Sequence, residues 1–242
     1  MKIKILLLIN HIIFLYGIIT QFSFFWASIT VIGLMLIGKV GGEIYMHRYV
    51  SHNSFSTSKT KEIIILCLSI FNCMGSPLEW AGIHRKHHAY SDKENDPHGN
   101  QHWLNIWSTF WKPFIIEIKY VKDIIRNKQI MFVHNNYLKI IFVTYFILSI
   151  IDWRFLAFGI CGASVLSFHQ SGIVNVITHR WGYRNFDTPD RSTNNSLVNL
   201  LSIGSGLHNN HHAKPNSYRN NILPHEWDLP GWIIEKWLIQ KI

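Results

Sequence analysis

The chain has 242 residues, 48% of them hydrophobic and 14% aromatic, but only 15% charged, with a formal net charge of +9. Soluble domains carry about a quarter charged residues, so an ordinary soluble globule is excluded in favour of a chain lying partly in lipid and partly in water. The positive charge sits on loops beside apolar runs, which suits an anionic lipid surface and argues against nucleic acid as a partner.

Residues 3–19 are nearly continuous apolar sequence, interrupted by Lys4, Asn10, His11 and Gly17. A second run, 22–37, continues past Lys39 towards Tyr45. With flanking residues these predict spans over about 3–20 and 22–45, since crossing about 30 Å of hydrocarbon takes roughly 20 residues. Lys2 and Lys4 would also suit a secretory signal. No small-residue cleavage site follows, and the second run starts at once, so a retained span is expected. Segment 62–74 is apolar but too short to span, and reads as a helix buried in a cytosolic cap or lying at the interface. Segment 112–128 mixes apolar and basic residues, predicting an amphipathic interfacial helix or an ordinary helix on the core. Third and fourth spans are expected over about 138–151 and 155–177, around the turn Asp152-Trp153-Arg154. Glycines at 38–42 and 159–162 would let helices approach closely. Cys67, Cys73 and Cys161 lie in apolar runs without C-x-x-C spacing, and are expected to be buried, reduced thiols.

Charge sets the topology. Lys2 and Lys4 precede the first run, segment 48–139 and the tail after Gly172 hold nearly all other Lys and Arg, and the turns joining paired spans carry only Arg154. Positive loops stay in the cytoplasm. The expectation is one all-α domain over 1–242: a four-transmembrane-helix bundle with both termini, and a helical cap of about 47–137 and 178–242, on the cytoplasmic side.

Histidines mark that cap. His47 and His52 form one cluster, His84, His87 and His88 a second, and His208, His211 and His212 a third; His179 follows Asn175 by one helical turn. H-x-x-H-H places three imidazoles on one helical face with Cβ atoms about 5–6 Å apart, able to grip one ion or bridge two. His47 and His52 lie about 140° apart on a regular helix, so they address different ions or straddle a helix end. Nine imidazoles are too many for one ion, and structural zinc usually takes four ligands, often with cysteine. A pair of redox-capable ions in a nitrogen shell is the economical reading. Iron fits best, although zinc and manganese are open by ligand type. Asn175 could hold a metal-bound water. Asp92 and Asp96 could accept the far N–H of ligand imidazoles, or form a solvated acidic loop. His11, His98, His102, His134, His169 and His225 read as structural or surface residues.

The stretches His47-R-Y-V-S-His52, Glu79-Trp80-x-x-x-His84-R-K-His87-His88 with Asp96-Pro97-His98, Asn175-x-x-x-His179, and Gly204-x-Gly206-L-His208-N-N-His211-His212 resemble those of the integral-membrane fatty acyl desaturases, acyl-CoA Δ9 enzymes and their short bacterial relatives above all. The resemblance implies that the nine histidines ligate two irons, that Asn175 holds a coordinated water, and that Trp80 lines the cavity near the reacting methylenes or touches the acyl thioester. It implies an O2-dependent desaturase placing a cis double bond, expected at Δ9, in a chain held as a thioester or lipid. Two positions depart from the pattern. Gly82 and Ile83 replace an Arg-Asp pair that animal acyl-CoA enzymes carry at the CoA end, leaving acyl carrier protein or a phospholipid open as carrier. Ser205 replaces a glutamate common between the two glycines.

No dinucleotide fingerprint, haem pattern or Fe–S cysteine set occurs, so electrons are expected from a separate ferredoxin or b-type cytochrome with its reductase. Arg85, Lys86, Lys112 and Lys119 are candidate docking residues. The competing readings are a membrane hydroxylase or oxygenase on the same metal core, and a non-catalytic metal-binding membrane protein.

Overall fold

The computed structural model describes residues 2–98, 102–110 and 115–240. Among these every regular element is helical, with β pairing confined to isolated bridges such as Thr57 with Ile239. Three helical stretches are long and apolar enough to cross a membrane: α1 (Lys2–Gln21), α2 (Phe24–Ser51) and Lys128–Ile177. The third reverses. Asp152 is extended, at φ −165° and ψ 106°, so α5 (Lys128–Arg154) ends there and residues 155–177 form α6. Asn10 of α1 locates the reversal: its carbonyl accepts from Tyr145 OH at 2.7 Å while its amide donates to Ser164 Oγ at 3.0 Å. On one straight helix those partners would stand about 28 Å apart. α5 begins ten residues before the apolar run because Asn127 caps it, accepting from the backbone N–H groups of Gln129 and Ile130.

The shorter helices gather where α2 and α6 finish: α3 (Lys59–Ile70), α4 (Pro77–Tyr90), α7 (Ser196–Leu201), α8 (His208–Ala213) and α9 (Leu229–Ile233). α4 starts firmly. Ser76 Oγ accepts from the Glu79 N–H, the Glu79 carboxylate accepts from the Ser76 N–H at 2.8 Å, and Pro77 needs no donor there. One core runs from Leu6 and Leu7 of α1 through Ile44 and Met46 of α2 to Ile141 of α5 and Ile234 near the C-terminus. Ile5, Ile12, Phe24, Phe146 and Ile150 face outward from the long helices, as lipid contact requires. Glycine permits the tightest crossings: a Cβ on Gly41 would come within 2.7 Å of the Leu68 backbone of α3, and one on Gly33 within 2.2 Å of the Gly159 carbonyl of α6.

Two expectations need correcting. Cys67 is exposed on α3, whereas Cys73 and Cys161 are buried; its apolar neighbours Ile63 and Ile64 face outward too. The described part of 112–128 is two short 3₁₀ turns, Ile118–Tyr120 and Ile124–Arg126, and no continuous helix. Arg85 takes the Tyr120 carbonyl at 2.9 Å and the Asp123 carboxylate at 2.6 Å, claiming the acceptor that a continuing α-helix would offer to Ile124. Lys112 lies outside the described residues.

Candidate metal centre

α2 delivers the first histidines. Its second half, Leu34–Ser51, winds in wider i→i+5 turns, and His52 lies just beyond the end at φ −109°. The wide turns return residue i+5 towards residue i, so His47 and His52 straddle the helix end with ring centroids 5.1 Å apart. α4 sends in His84, His87 and His88, and α8 sends in His208, His211 and His212. His179 arrives two residues after α6.

The nine imidazoles form two groups. His47, His52, His84, His88 and His211 make the first, and His87, His179, His208 and His212 the second; in each, one ligand atom per residue lies within 4.8 Å of all the others. Each H-x-x-H-H motif is divided between them. His84 and His88 enter the first group and His87 the second, while His208 and His212 enter the second and His211 the first.

Four rings have a fixed tautomer. Nδ1 of His47, His87, His179 and His212 meets Glu43 (3.0 Å), Asp96 (2.9 Å), Asp92 (2.9 Å) and Asp190 (2.6 Å) respectively. An ionised carboxylate only accepts, so Nδ1 carries the hydrogen and Nε2 offers a lone pair. Yet His208 Nε2 lies 3.1 Å from Nε2 of both His179 and His212, and can donate to only one of them. His211 Nε2 likewise faces His47 Nε2 at 3.0 Å and His88 Nε2 at 2.9 Å, and buried His87 Nε2 has no hydrogen-bond partner. Buried lone pairs that converge call for a cation. Ligand atoms each about 2.1 Å from one ion and at right angles lie about 3 Å apart, the spacing seen here, so these residues fit a pair of metal ions.

Protonation agrees. Burial holds His84, His88, His208 and His211 well below the usual imidazole range, and takes His212 to about 4 and His52 to about 2. All six are neutral at pH 7, the form that could ligate a metal. Burial, the largest single influence, would raise Asp92, but the hydrogen bond and charge of His179 together with Arg191 outweigh it and bring the carboxyl to about 2. At Asp96 burial is likewise overcome by His87 and His98 together, and at Asp190 by His212, Ser192 and Thr188 together, so both stay below the usual carboxylate range.

A cavity of about 80 Å³ adjoins both groups and is lined by His47, His84 and His208, with Trp80, Asn175, Lys39 and Glu43. A second, of about 40 Å³, shares Met74, Trp80, His84, His98 and Asn175 with it. Trp80 stacks on His84 with centroids 4.7 Å apart. Phe168, Gly172 and the segment Trp103–Phe110 wall the second cavity. Of the aromatic residues early in the chain, Trp26 stacks on Phe158 and Phe14 packs on it edge-on, while Phe24 and Phe25 face outward.

Sequence reasoning did not single out Glu43, Asp190 or His98 as site residues. Glu43 stands four residues before His47, a helical spacing that could have found it. Asp190 carries no such signal, because it approaches His212 from a loop 22 residues away. The His98 ring lies 5.0 Å from that of His87 and lines both cavities. Of the proposed docking residues, Arg85 is held by Asp123 and by the Val50 and Ser51 carbonyls. Lys86 and Lys119 share Glu117 at 2.7 and 2.9 Å.

A family model described as fatty acid desaturase matches residues 20–227. The sn-1 stearoyl-lipid 9-desaturase of Anabaena variabilis is 35% identical over 93% of this chain and 85% of its own length. The protein of the same name from Synechocystis sp. is also 35% identical, over 94% and 74% respectively. The acyl-CoA C20 Delta5-desaturase of Anemone leveillei is 30% identical over 96% and 77%.

Proposed function

Since the chain belongs to the fatty acid desaturase family, we propose that it places a cis Δ9 double bond in a saturated acyl chain carried on a membrane lipid, using a di-iron centre. The observation that carries this is the division of nine imidazoles into two buried, lone-pair-lined groups at the floor of a cavity. The five histidines of the first group would hold one iron and the four of the second the other, with Asn175, on the wall of the adjoining cavity, placed to hold a water. Bound there, iron supplies the O2-dependent oxidation needed to take hydrogen from unactivated methylenes. The overall change consumes the saturated chain, O2, two electrons and two protons, and yields the alkene and two waters.

The protein's residues do the rest. Asp92, Asp96 and Asp190 keep hydrogen on Nδ1, so that Nε2 stays free to ligate. Trp80 sets one wall against the reacting carbons. Lipid is favoured as carrier because Gly82 is pressed against the 115–121 segment. A Cβ there would lie 3.1 Å from Val121 and 3.3 Å from Ile116, leaving no room for a long cationic side chain to meet CoA. The two 35% identical relatives are named for stearoyl-lipid substrates. Four spans enclose the chain in one domain, with the metal centre and both termini in the cytoplasm, as the Lys and Arg distribution indicates. A separate ferredoxin or b-type cytochrome docks on the basic face around Lys86 and Lys119, so donor-supported rates fall as ionic strength rises.

The test is expression in a desaturase-deficient host with fatty acid profiling, beside His87→Ala and His211→Ala. Δ9-unsaturated chains in membrane lipids with the parent, and none with either variant, are expected. A hydroxylated product, or unchanged saturation with a competent donor, refutes the assignment.

A further inference from the structure

Three of the four carboxylates that hold ligand imidazoles serve the second group; among the described residues, Glu43 is the one hydrogen-bonded to the first. Its environment is built. Oε1 accepts from His47 Nδ1 at 3.0 Å and from Arg48 Nε at 3.3 Å, and Oε2 accepts from Ser205 Oγ at 3.1 Å. The carboxylate is largely enclosed, with its side chain 13% exposed. Glu43 and His47 are one turn apart on α2, whereas Ser205 comes from the turn just before α8. The carboxylate therefore ties the helix supplying His47 to the turn leading into His208, His211 and His212.

Building on the metal centre proposed above, we propose that Glu43 is the positioning carboxylate of the first iron site, with Ser205 as its seat. By accepting from Nδ1 it fixes the His47 tautomer and aims Nε2 at the site shared with His211. Among the described residues it also supplies the one carboxylate hydrogen-bonded to that ligand shell, and Ser205 holds the free oxygen in place. The same geometry accounts for the serine between Gly204 and Gly206. A glutamate at 205 would reach past the serine hydroxyl into the space that the Glu43 carboxylate already fills. Two carboxylates there would repel each other, so the site takes one, and in this chain α2 provides it.

The measurement is metal binding by the purified full-length protein in detergent. Iron per chain is counted after reconstitution and graded chelator competition, and Mössbauer spectra separate the two iron environments. The parent chain should hold two irons. Glu43→Gln keeps an oxygen able to accept from His47 but loses the charge, and should bind one iron about 10–100-fold more weakly with the other unchanged. Ser205→Ala should weaken the same iron by less. The exchange Glu43→Ser with Ser205→Glu should restore both irons and the parent spectrum, which a merely structural role would not do. Two irons bound by Glu43→Gln as tightly as by the parent, or equal loss from both sites, would overturn the assignment of Glu43 alone. Should Glu43→Gln not fold, Ser205→Ala decides, and unchanged iron affinity in that variant overturns the proposal. A parent chain that takes up no iron would overturn the di-iron reading itself.

Discussion

Arg48 is the most deeply buried cation among the described residues, and its removal should be costly. Its guanidinium forks onto Asp228 with bonds of 2.8 and 2.9 Å, donates to the Tyr218 carbonyl at 2.6 Å and touches Glu43. The side chains are 1% exposed for Arg48 and 0% for Asp228. Arg48→Met keeps most of the apolar bulk but leaves the Asp228 carboxylate buried with only the backbone N–H groups of Asn220 and Gly231 as donors. Breaking one side of a buried pair costs about 3–5 kcal/mol. For a chain of this size that is a fall of about 6–20 °C in melting temperature, measured on detergent-solubilised, metal-free protein at pH 7.5. Removing the stranded charge as well, in Arg48→Met with Asp228→Asn, should recover at least half of the loss. A single variant that melts within about 2 °C of the parent (less than about 1 kcal/mol), or a double variant whose loss equals the sum of the two singles, would refute the reasoning. Because the tether joins residues 218–231 to α2 next to His47, iron content should fall with stability in the single variant.

Gly172→Ala should disturb the cavity and spare the metals. Its Cβ would come within 2.2 Å of the Ile106 carbonyl, pushing Trp103–Phe110 outward and straining the Trp107 Nε1 bond to His169, now 3.1 Å. A rise in KM or a changed product profile at unchanged iron content is expected; parent-like kinetics would show that this segment does not shape the acyl site. Acid should unfold the metal-free chain early. The depressed imidazoles stay neutral when folded but protonate near 6.5 once unfolded. The unfolded state thus binds more protons, and stability drops as pH falls below about 6.5, by about 1.4 kcal/mol per pH unit for each such histidine. For His212 the loss continues to its folded value of about 4. A melting temperature flat between pH 7.5 and 5 would contradict this.

Much of the frame was legible in hydropathy, because a helix in lipid must be apolar for most of its length whatever its neighbours. The reversal at Asp152 was legible too, since Asp152-Trp153-Arg154 breaks an otherwise unrelieved run. The polar start of α5 was not, because Asn127 sets it by capping, outside the apolar window. At the candidate metal centre the histidine spacing named the imidazoles that gather there, but not how they divide. That division depends on how α4 and α8 face each other, and on the wide turns of α2, which no residue pattern announces. Asp92 and Asp96 lay close enough in sequence to the second motif to be noticed. Asp190 did not, being held by Thr188 and Ser192 in a loop whose approach to His212 is purely tertiary. The 112–128 stretch misled because its mix of apolar and basic residues suits a helix while Arg85 draws the Tyr120 carbonyl away.

The division of each histidine motif across both groups has a mechanical consequence. α4 and α8 act like two rivets passed through the same pair of plates, so neither helix can slide or tilt without moving donors at both positions. The distance between two ions held there would thereby be set by helices more than by flexible loops. Losing either rod would leave no intact half-centre behind, and a chain able to fill one position should already be shaped to fill the other.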